Sequence, residues 1–194
     1  MSYKIISYYT TNTPYEKIVV NLENSLKMFQ LPYKIYPKPS EGSWTKNTQI
    51  KSKVILEALN EFQEDIIWVD ADAIFERQPY LFELLEHKEF DLCCHYLHTK
   101  YNANELLSGT LYFRNNIVVK QLVKDWIELN KVKEEWDQKT LQTLIEDKYK
   151  DTIKTVDLPS QYIKIDKFEH WQGQVIAPVI THFQASRQYR NMSW

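Results

Sequence analysis

Glycine is almost missing from this chain. Among its 194 residues only Gly42, Gly109 and Gly173 occur, where average usage of ~7% would supply about thirteen. The three survivors are expected where a side chain cannot be tolerated. Cysteine is as scarce: Cys93 and Cys94 stand side by side in an apolar run. That excludes a disulfide framework and reads as buried thiols in a reducing compartment. No apolar run approaches the ~20 residues needed to span a bilayer. The opening Met1-Ser2-Tyr3-Lys4-Ile5-Ile6-Ser7 is too short and too polar for a signal peptide. The expectation is a cytoplasmic protein with no transmembrane segment, whose membrane contact, if any, is peripheral. A charge surplus is lacking too. The formal net charge is −2, so nothing draws the whole molecule to nucleic acid or to an anionic bilayer. The sequence also has no internal repeat, low-complexity segment or linker.

What is there suits one globular domain over residues 1–194, with 43% hydrophobic and 26% charged residues and length enough for a full core. Aromatics reach 14%, with six Trp and thirteen Tyr; most fill core, and the others offer stacking faces for rings and sugars. Residues 4–9 read as a first strand. Thr13 as N-cap, Pro14 as first helical residue and Glu16 as the reciprocal partner predict a helix. Its buried face is Ile18, Val19, Leu22, Leu26 and Phe29. Residues 32–36 read as a second strand, so the chain opens β-α-β. After a loop at 37–44, a helix is expected over about 48–62, burying Ile50, Val54, Ile55, Ala58, Leu59 and Phe62. A short helix follows Pro79. Strands are read at 91–96 and 107–115, the latter entered through Gly109, and helices at 117–129 and 136–146. The end, 155–183, is irregular and β-flavoured. This pattern predicts an α/β, Rossmann-like domain with a mixed central sheet flanked by helices.

The chain is organised around residues 66–79. Ile66-Ile67-Trp68-Val69 is a short continuous apolar run, the signature of a strand buried on both faces. It runs straight into Asp70-Ala71-Asp72, at the sheet edge where α/β proteins place their ligands. In an extended segment Asp70 and Asp72 point the same way and Ala71 the other. Two such hard oxygen ligands suit Mg²⁺ or Mn²⁺, which bridges readily to a diphosphate. The plainer alternative is that the two carboxylates only end a strand and begin a turn.

Four segments in order carry a resemblance. Thr10-Thr11-Asn12, Tyr15, Leu22 and Ser25-Leu26 are spaced as in the opening of glycogenin-like nucleotide-sugar transferases of the GT-A fold. Trp68 to Pro79 looks like the DxD signature of that superfamily. Ser108-Gly109-Thr110-Leu111-Tyr112-Phe113 resembles a later strand of the fold, and Trp136-Asp137-Gln138 with Leu141 resembles its Asp-Gln step into a helix. The chain departs from the pattern at its end, where His182-Phe183-Gln184-Ala185-Ser186-Arg187 replaces His-x-x-Gly-x-x-Lys. The resemblance implies a single GT-A-like domain with a nucleotide-binding half (1–65) and a half for metal, donor sugar and acceptor (66–194). It implies a hexosyltransferase-like enzyme that uses a UDP-sugar and retains configuration at the transferred carbon.

Sugar transfer from a nucleoside diphosphate builds an oxocarbenium-like centre and charge on the leaving diphosphate, which a divalent ion stabilises as a Lewis acid. Asp70 and Asp72 are the candidate ligands of Mn²⁺ or Mg²⁺, with Asp72 also counted as catalytic. His182 is either the third ligand or a strand histidine. Tyr8, Thr10, Asn12 and Tyr15 suit base stacking and ribose hydrogen bonds, although one of Tyr8 and Tyr9 should fill core. Lys51, Arg187 and Arg190 are candidates to face the diphosphate, against a plain role as solvated charges. Gly109 either opens the strand or leaves room for the donor sugar. By resemblance Asp137 and Gln138 lie near the donor sugar. His95 and His98 receive no role. The acceptor stays open among glycan, protein, lipid and modified nucleobase, and the oligomeric state is not legible. Two rival readings are a haloacid-dehalogenase-type phosphatase, whose later acidic pair is missing here, and a non-catalytic sugar-nucleotide or glycan-binding module.

Overall fold

The computed structural model describes residues 3–97 and 104–189, so His98 and Arg190 lie outside the described residues. The order is β1 (Tyr3–Thr10), α1 (Tyr15–Met28), β2 (Tyr33–Lys38), α2 (Trp44–Phe62), β3 (Asp65–Val69) and β4 (Ala73–Phe75). Then come α3 (Tyr80–Leu85), β5 (Leu92–Leu97), β6 (Glu105–Phe113), α4 (Ile117–Val132) and α5 (Asp137–Thr143). The chain continues through β7 (Thr155–Asp157), β8 (Lys164–Ile165), α6 (Glu169–Gln172), β9 (Ile180–His182) and α7 (Ser186–Tyr189).

A six-stranded sheet runs in the order β2-β1-β3-β6-β5-β7, beside a three-stranded sheet β4-β9-β8. In the larger sheet β1 pairs in parallel with β2 and β3, while β6 is antiparallel to both β3 and β5, and β7 is parallel to β5. The sheet is therefore mixed through one reversed strand, β6. Alternate β3 side chains serve two cores: Ile66 and Trp68 pack with α2 and α4, while Ile67 and Val69 pack with α1, β4 and α3. That is why the run is apolar throughout, each fully buried side chain contributing roughly 1.5–3 kcal/mol.

Three expectations need correcting. α2 begins at Trp44, one turn before the expected Thr48, because Ser43 caps it by accepting from the Lys46 N–H at 3.3 Å. Its first turn is polar apart from Trp44, so apolar periodicity could not report it. Gly109 does not open a strand; it sits inside β6, which starts at Glu105. Asp70 and Asp72 are not strand residues. They occupy a turn between β3 and β4, closed by the Ala73 N–H on the Asp70 carbonyl at 3.1 Å. At α1, Thr13 Oγ1 accepts from the Tyr15 N–H, while Glu16 reaches past Thr13 to the Asn12 N–H at 3.1 Å.

The shortage of glycine has a visible consequence. Asn12, Gln30, Gln63, Asn104, Lys167, Ala177 and Gln184 all take positive φ. Gln63 ends α2 in the left-handed region at φ 56°, a conformation that costs a non-glycine residue ~1–2 kcal/mol.

Candidate active site

The turn between β3 and β4, together with β9 of the smaller sheet, brings three groups to one point. Asp70, next after β3, is held by its N–H on the Gly109 carbonyl at 2.9 Å. Its Oδ1 accepts from Trp68 Nε1 at 2.7 Å. Asp72 is tied to the C-terminal segment: its carbonyl accepts from the Phe183 N–H at 3.0 Å and its Oδ2 from the Ala185 N–H at 2.7 Å. β4 pairs with β9 so that Ala73 faces His182, which places the imidazole beside the turn. Asp70, Asp72 and His182 each offer one ligand atom, all within 4.8 Å of one another.

His182 is buried, and its Nε2 shares a hydrogen bond with Thr110 Oγ1 at 2.9 Å. Gly109 is what makes this possible. A Cβ there would lie 2.9 Å from His182 Cε1 and 3.0 Å from Nδ1. The space left by the missing side chain is filled by imidazole, not kept for a donor sugar. Burial first, then the nearby Lys51 ammonium, push the His182 pKa down to about 3, so the ring is neutral, the form that binds metals. Burial and then the Asp70 charge push Asp72 up to about 6. Two crowded carboxylates with a neutral imidazole form a donor set that fits Mn²⁺ or Mg²⁺.

Lys51 adjoins these groups and is 4% exposed. Its Nζ sits 3.0 Å from Asp70 Oδ1 and 2.7 Å from Asp137 Oδ2, and donates to Ser108 Oγ and O at 2.9 and 3.1 Å. Burial alone would lower its pKa; Asp137 and Asp70 outweigh that and hold it above the ordinary lysine value. Lys51 is thus not a solvated charge: it is a buried counter-ion between two carboxylates, and it lines the same cleft. Asp137 is also buried, accepting from Ser108 Oγ at 3.1 Å. Gln138 accepts from the Ser108 N–H at 3.1 Å and donates to Glu105 Oε1 at 2.8 Å.

These groups open on a cleft of about 360 Å³, also lined by Tyr8, Thr10 and Tyr15 at the end of β1 and by Arg187 on α7. Tyr8 both packs and lines: its ring tilts against Trp68 at 5.6 Å, its hydroxyl donates to the Asn47 carbonyl, and it is among the cleft residues. Thr10 turns its hydroxyl to Thr13 at 2.9 Å. Burial, then Asp72 and Asp70, push the Tyr15 phenol above its usual range. Asn12 is not among the lining residues; its backbone makes the turn toward Glu16. The Arg187 guanidinium stacks on Phe168, 4.2 Å from the ring centre. Sequence reasoning missed Trp44, Asn47, Ser108 and Trp136, all lining the cleft. Trp136 had a usable signal in its place before Asp137-Gln138; Trp44 had none once its turn was read as loop.

No family profile and no curated relative matches the sequence. Solved structures do match. A glycosyltransferase involved in glycosylation of the major capsid of PBCV-1 aligns over 98% of this chain and 97% of its own, with a TM-score of 0.74 at 14% identity. The galactosyltransferase LgtC, solved with donor and acceptor sugar analogues, aligns over 93% and 87%, with a TM-score of 0.56 at 12% identity. The bifunctional glycosyltransferase WbbM aligns over 94% of this chain and 46% of its own, with a TM-score of 0.60 at 12% identity. At such identities the likeness establishes architecture: the chain has a GT-A-like glycosyltransferase fold. Among the described residues no helix is long and apolar enough to cross a membrane.

Proposed function

We propose that this chain is a metal-dependent glycosyltransferase that moves a sugar from a UDP-sugar to an acceptor hydroxyl with retention. The observation that carries the reading is the convergence of Asp70, Asp72 and His182 within 4.8 Å, in a cleft also lined by Tyr8 and Tyr15. A divalent ion on those three residues would act as a Lewis acid toward the diphosphate. The protein's own groups do the rest. Tyr8 and Tyr15 offer ring faces and a hydroxyl to the nucleoside from the 1–65 half. Arg187 can swing from Phe168 onto a diphosphate oxygen, a bidentate contact suited to guanidinium. Lys51 holds Asp70 and Asp137 in register across the site of reaction. In the transfer, the bond from the sugar's C1 to the β-phosphate oxygen breaks with its electron pair leaving on UDP. The acceptor oxygen bonds to C1, and its proton passes to a diphosphate oxygen. Retention is the outcome that the glycogenin-like resemblance implies, and Asp137, engaged by Lys51 and Ser108, is not an open base for the acceptor.

Ligand-induced thermal shift tests this. With UDP at roughly one hundred times its dissociation constant, linkage stabilises the folded chain by about 2.7 kcal/mol. The shift is expected with Mn²⁺, to collapse with EDTA, and to be lost in Asp72→Asn and His182→Ala but kept in His87→Ala. Equal shifts with Mn²⁺ and EDTA would overturn the metal-dependent reading.

A further inference from the structure

Two large aromatics on the cleft have no role in the donor site described above. Trp44 and Trp136 both line that cleft, their ring centres 6.2 Å apart and inclined at 49°. Trp136 is 40% exposed. Beyond the Lys139 ammonium 6.0 Å from its ring centre, this indole leaves apolar area that a ligand in the cleft can cover. The pair is also purposely held. Trp44 opens α2, and Trp136 stands just before α5, more than ninety residues later in the chain. Gln49 on α2 brings them together by donating to the Lys133 and Glu135 carbonyls at 3.0 and 2.8 Å. Thr48 Oγ1 accepts from the Asp137 N–H at 3.4 Å, and Lys139 pairs with Glu135 at 2.9 Å. The Gln49 and Thr48 bonds dock the segment before α5 onto the first turns of α2 and set the two indoles side by side.

Contacts place the pair relative to the chemistry. Trp136 adjoins Asp137, Asp137 meets Lys51, and Lys51 meets Asp70. The two indoles thus share one cleft with the metal ligands, one of them next in the chain to the carboxylate that pairs with Lys51. Indole faces stack on the C–H face of a sugar ring, leaving its hydroxyls directed to the sides. The Glu105–Gln138 pair, on the same cleft, supplies a carboxylate and an amide for those hydroxyls.

We propose that Trp44 and Trp136 form the acceptor subsite and that the acceptor they take is a hexopyranose, so the product is a glycosidic bond between two sugars. This rests on the transferase reading above. A protein or lipid acceptor would be covered only in so far as its terminal residue is already a sugar.

The test is a titration followed on the indole N–H resonances, with UDP and Mg²⁺ present. The probes are methyl β-D-glucopyranoside, methyl β-D-galactopyranoside and methyl α-D-mannopyranoside, and Trp44→Phe and Trp136→Phe assign the two signals. At least one glycoside is expected to shift both. Trp136→Ala should weaken that glycoside about tenfold, while its affinity for UDP with Mg²⁺ stays within about twofold of the parent. Silence of both indoles toward all three glycosides overturns the proposal. So does a response of the pair to uridine alone, or an equal loss of UDP binding in Trp136→Ala, since either assigns the indoles to the nucleobase. The two readings fail separately: absence of UDP binding in the parent overturns the transferase, whereas silence toward glycosides in a parent that binds UDP overturns only the acceptor subsite.

Discussion

Gly109 and His182 share one volume, and that sharing decides whether the imidazole can sit beside Asp70 and Asp72. Gly109→Ala puts a methyl group 2.9 Å from His182 Cε1, too close to stay. The ring must leave Thr110 or the strand must bend, an overpacking cost of roughly 1–3 kcal/mol. The variant is expected to fold, judged by far-ultraviolet circular dichroism, and to lose most of the Mn²⁺-dependent part of its thermal shift with UDP. A full Mn²⁺ response in Gly109→Ala would show that the position of this ring does not matter. Lys51 makes the complementary point at the same scale. Its helix position leaves open a solvated charge or one facing a diphosphate, and only the two carboxylates brought from the turn after β3 and from α5 make a buried ammonium tolerable.

At the scale of the element, α2 carries more of the site than its apolar face suggests. Its first turn bears Trp44 and Asn47, its second Lys51, and it starts where Ser43 accepts from the Lys46 N–H. Ser43→Ala removes that acceptor and is expected to cost about 1 kcal/mol, read as a lower urea midpoint at unchanged slope. The loss should be local before it is global. Hydrogen exchange at the Lys46 amide should accelerate first, because its N–H is the donor to the Ser43 hydroxyl. An unchanged midpoint would mean that the helix is set by its packing on β1 and α4 alone. Elsewhere the glycine-poor sequence ends helices with glutamine: Gln30 and Gln63 both take positive φ, and their neighbours' packing must outweigh the strain.

The whole molecule is a sheet with a core on each face, and its two thiols report on both at once. Cys94 packs with the α2–α4 core and Cys93 with the core under α1 and α3. Burial, then Asp157, push the Cys93 thiol up to about 12, and burial pushes Cys94 higher still. In the unfolded chain both ionise near the ordinary value of about 8.5. Below that value both states hold the protons and nothing is gained or lost. As pH rises above it the unfolded chain releases protons that the folded chain keeps, so stability falls steadily from about pH 9 toward 12. Urea titrations at pH 7.5 and 10.5 should show the lower midpoint at the higher pH. Iodoacetamide at pH 8 should label neither cysteine in the native protein and both in urea. Labelling in the native state at a rate independent of stability would show that one face opens separately.

Much of this was legible in the residues alone. Ile66 to Val69 announced a strand covered on both faces, Leu22 and Leu26 the inner side of α1, and Asp70 with Asp72 the carboxylates at the sheet edge. Such features are local, written in periodicity and in the chemistry of neighbours along the chain. The reason the carboxylates converge was not local: the alternation of an extended strand was expected, and a turn between two sheets does it. Nor could the sequence decide what Gly109 is for, where Lys51 points, or that Trp44 and Trp136 would meet. Each depends on pairs far apart in the chain, His182 with Ala73 through β4 and β9, Lys51 with Asp137, Gln49 with Glu135. Such meetings are settled by strand pairing and helix docking, whose energy is non-local burial, and only the folded chain holds that information.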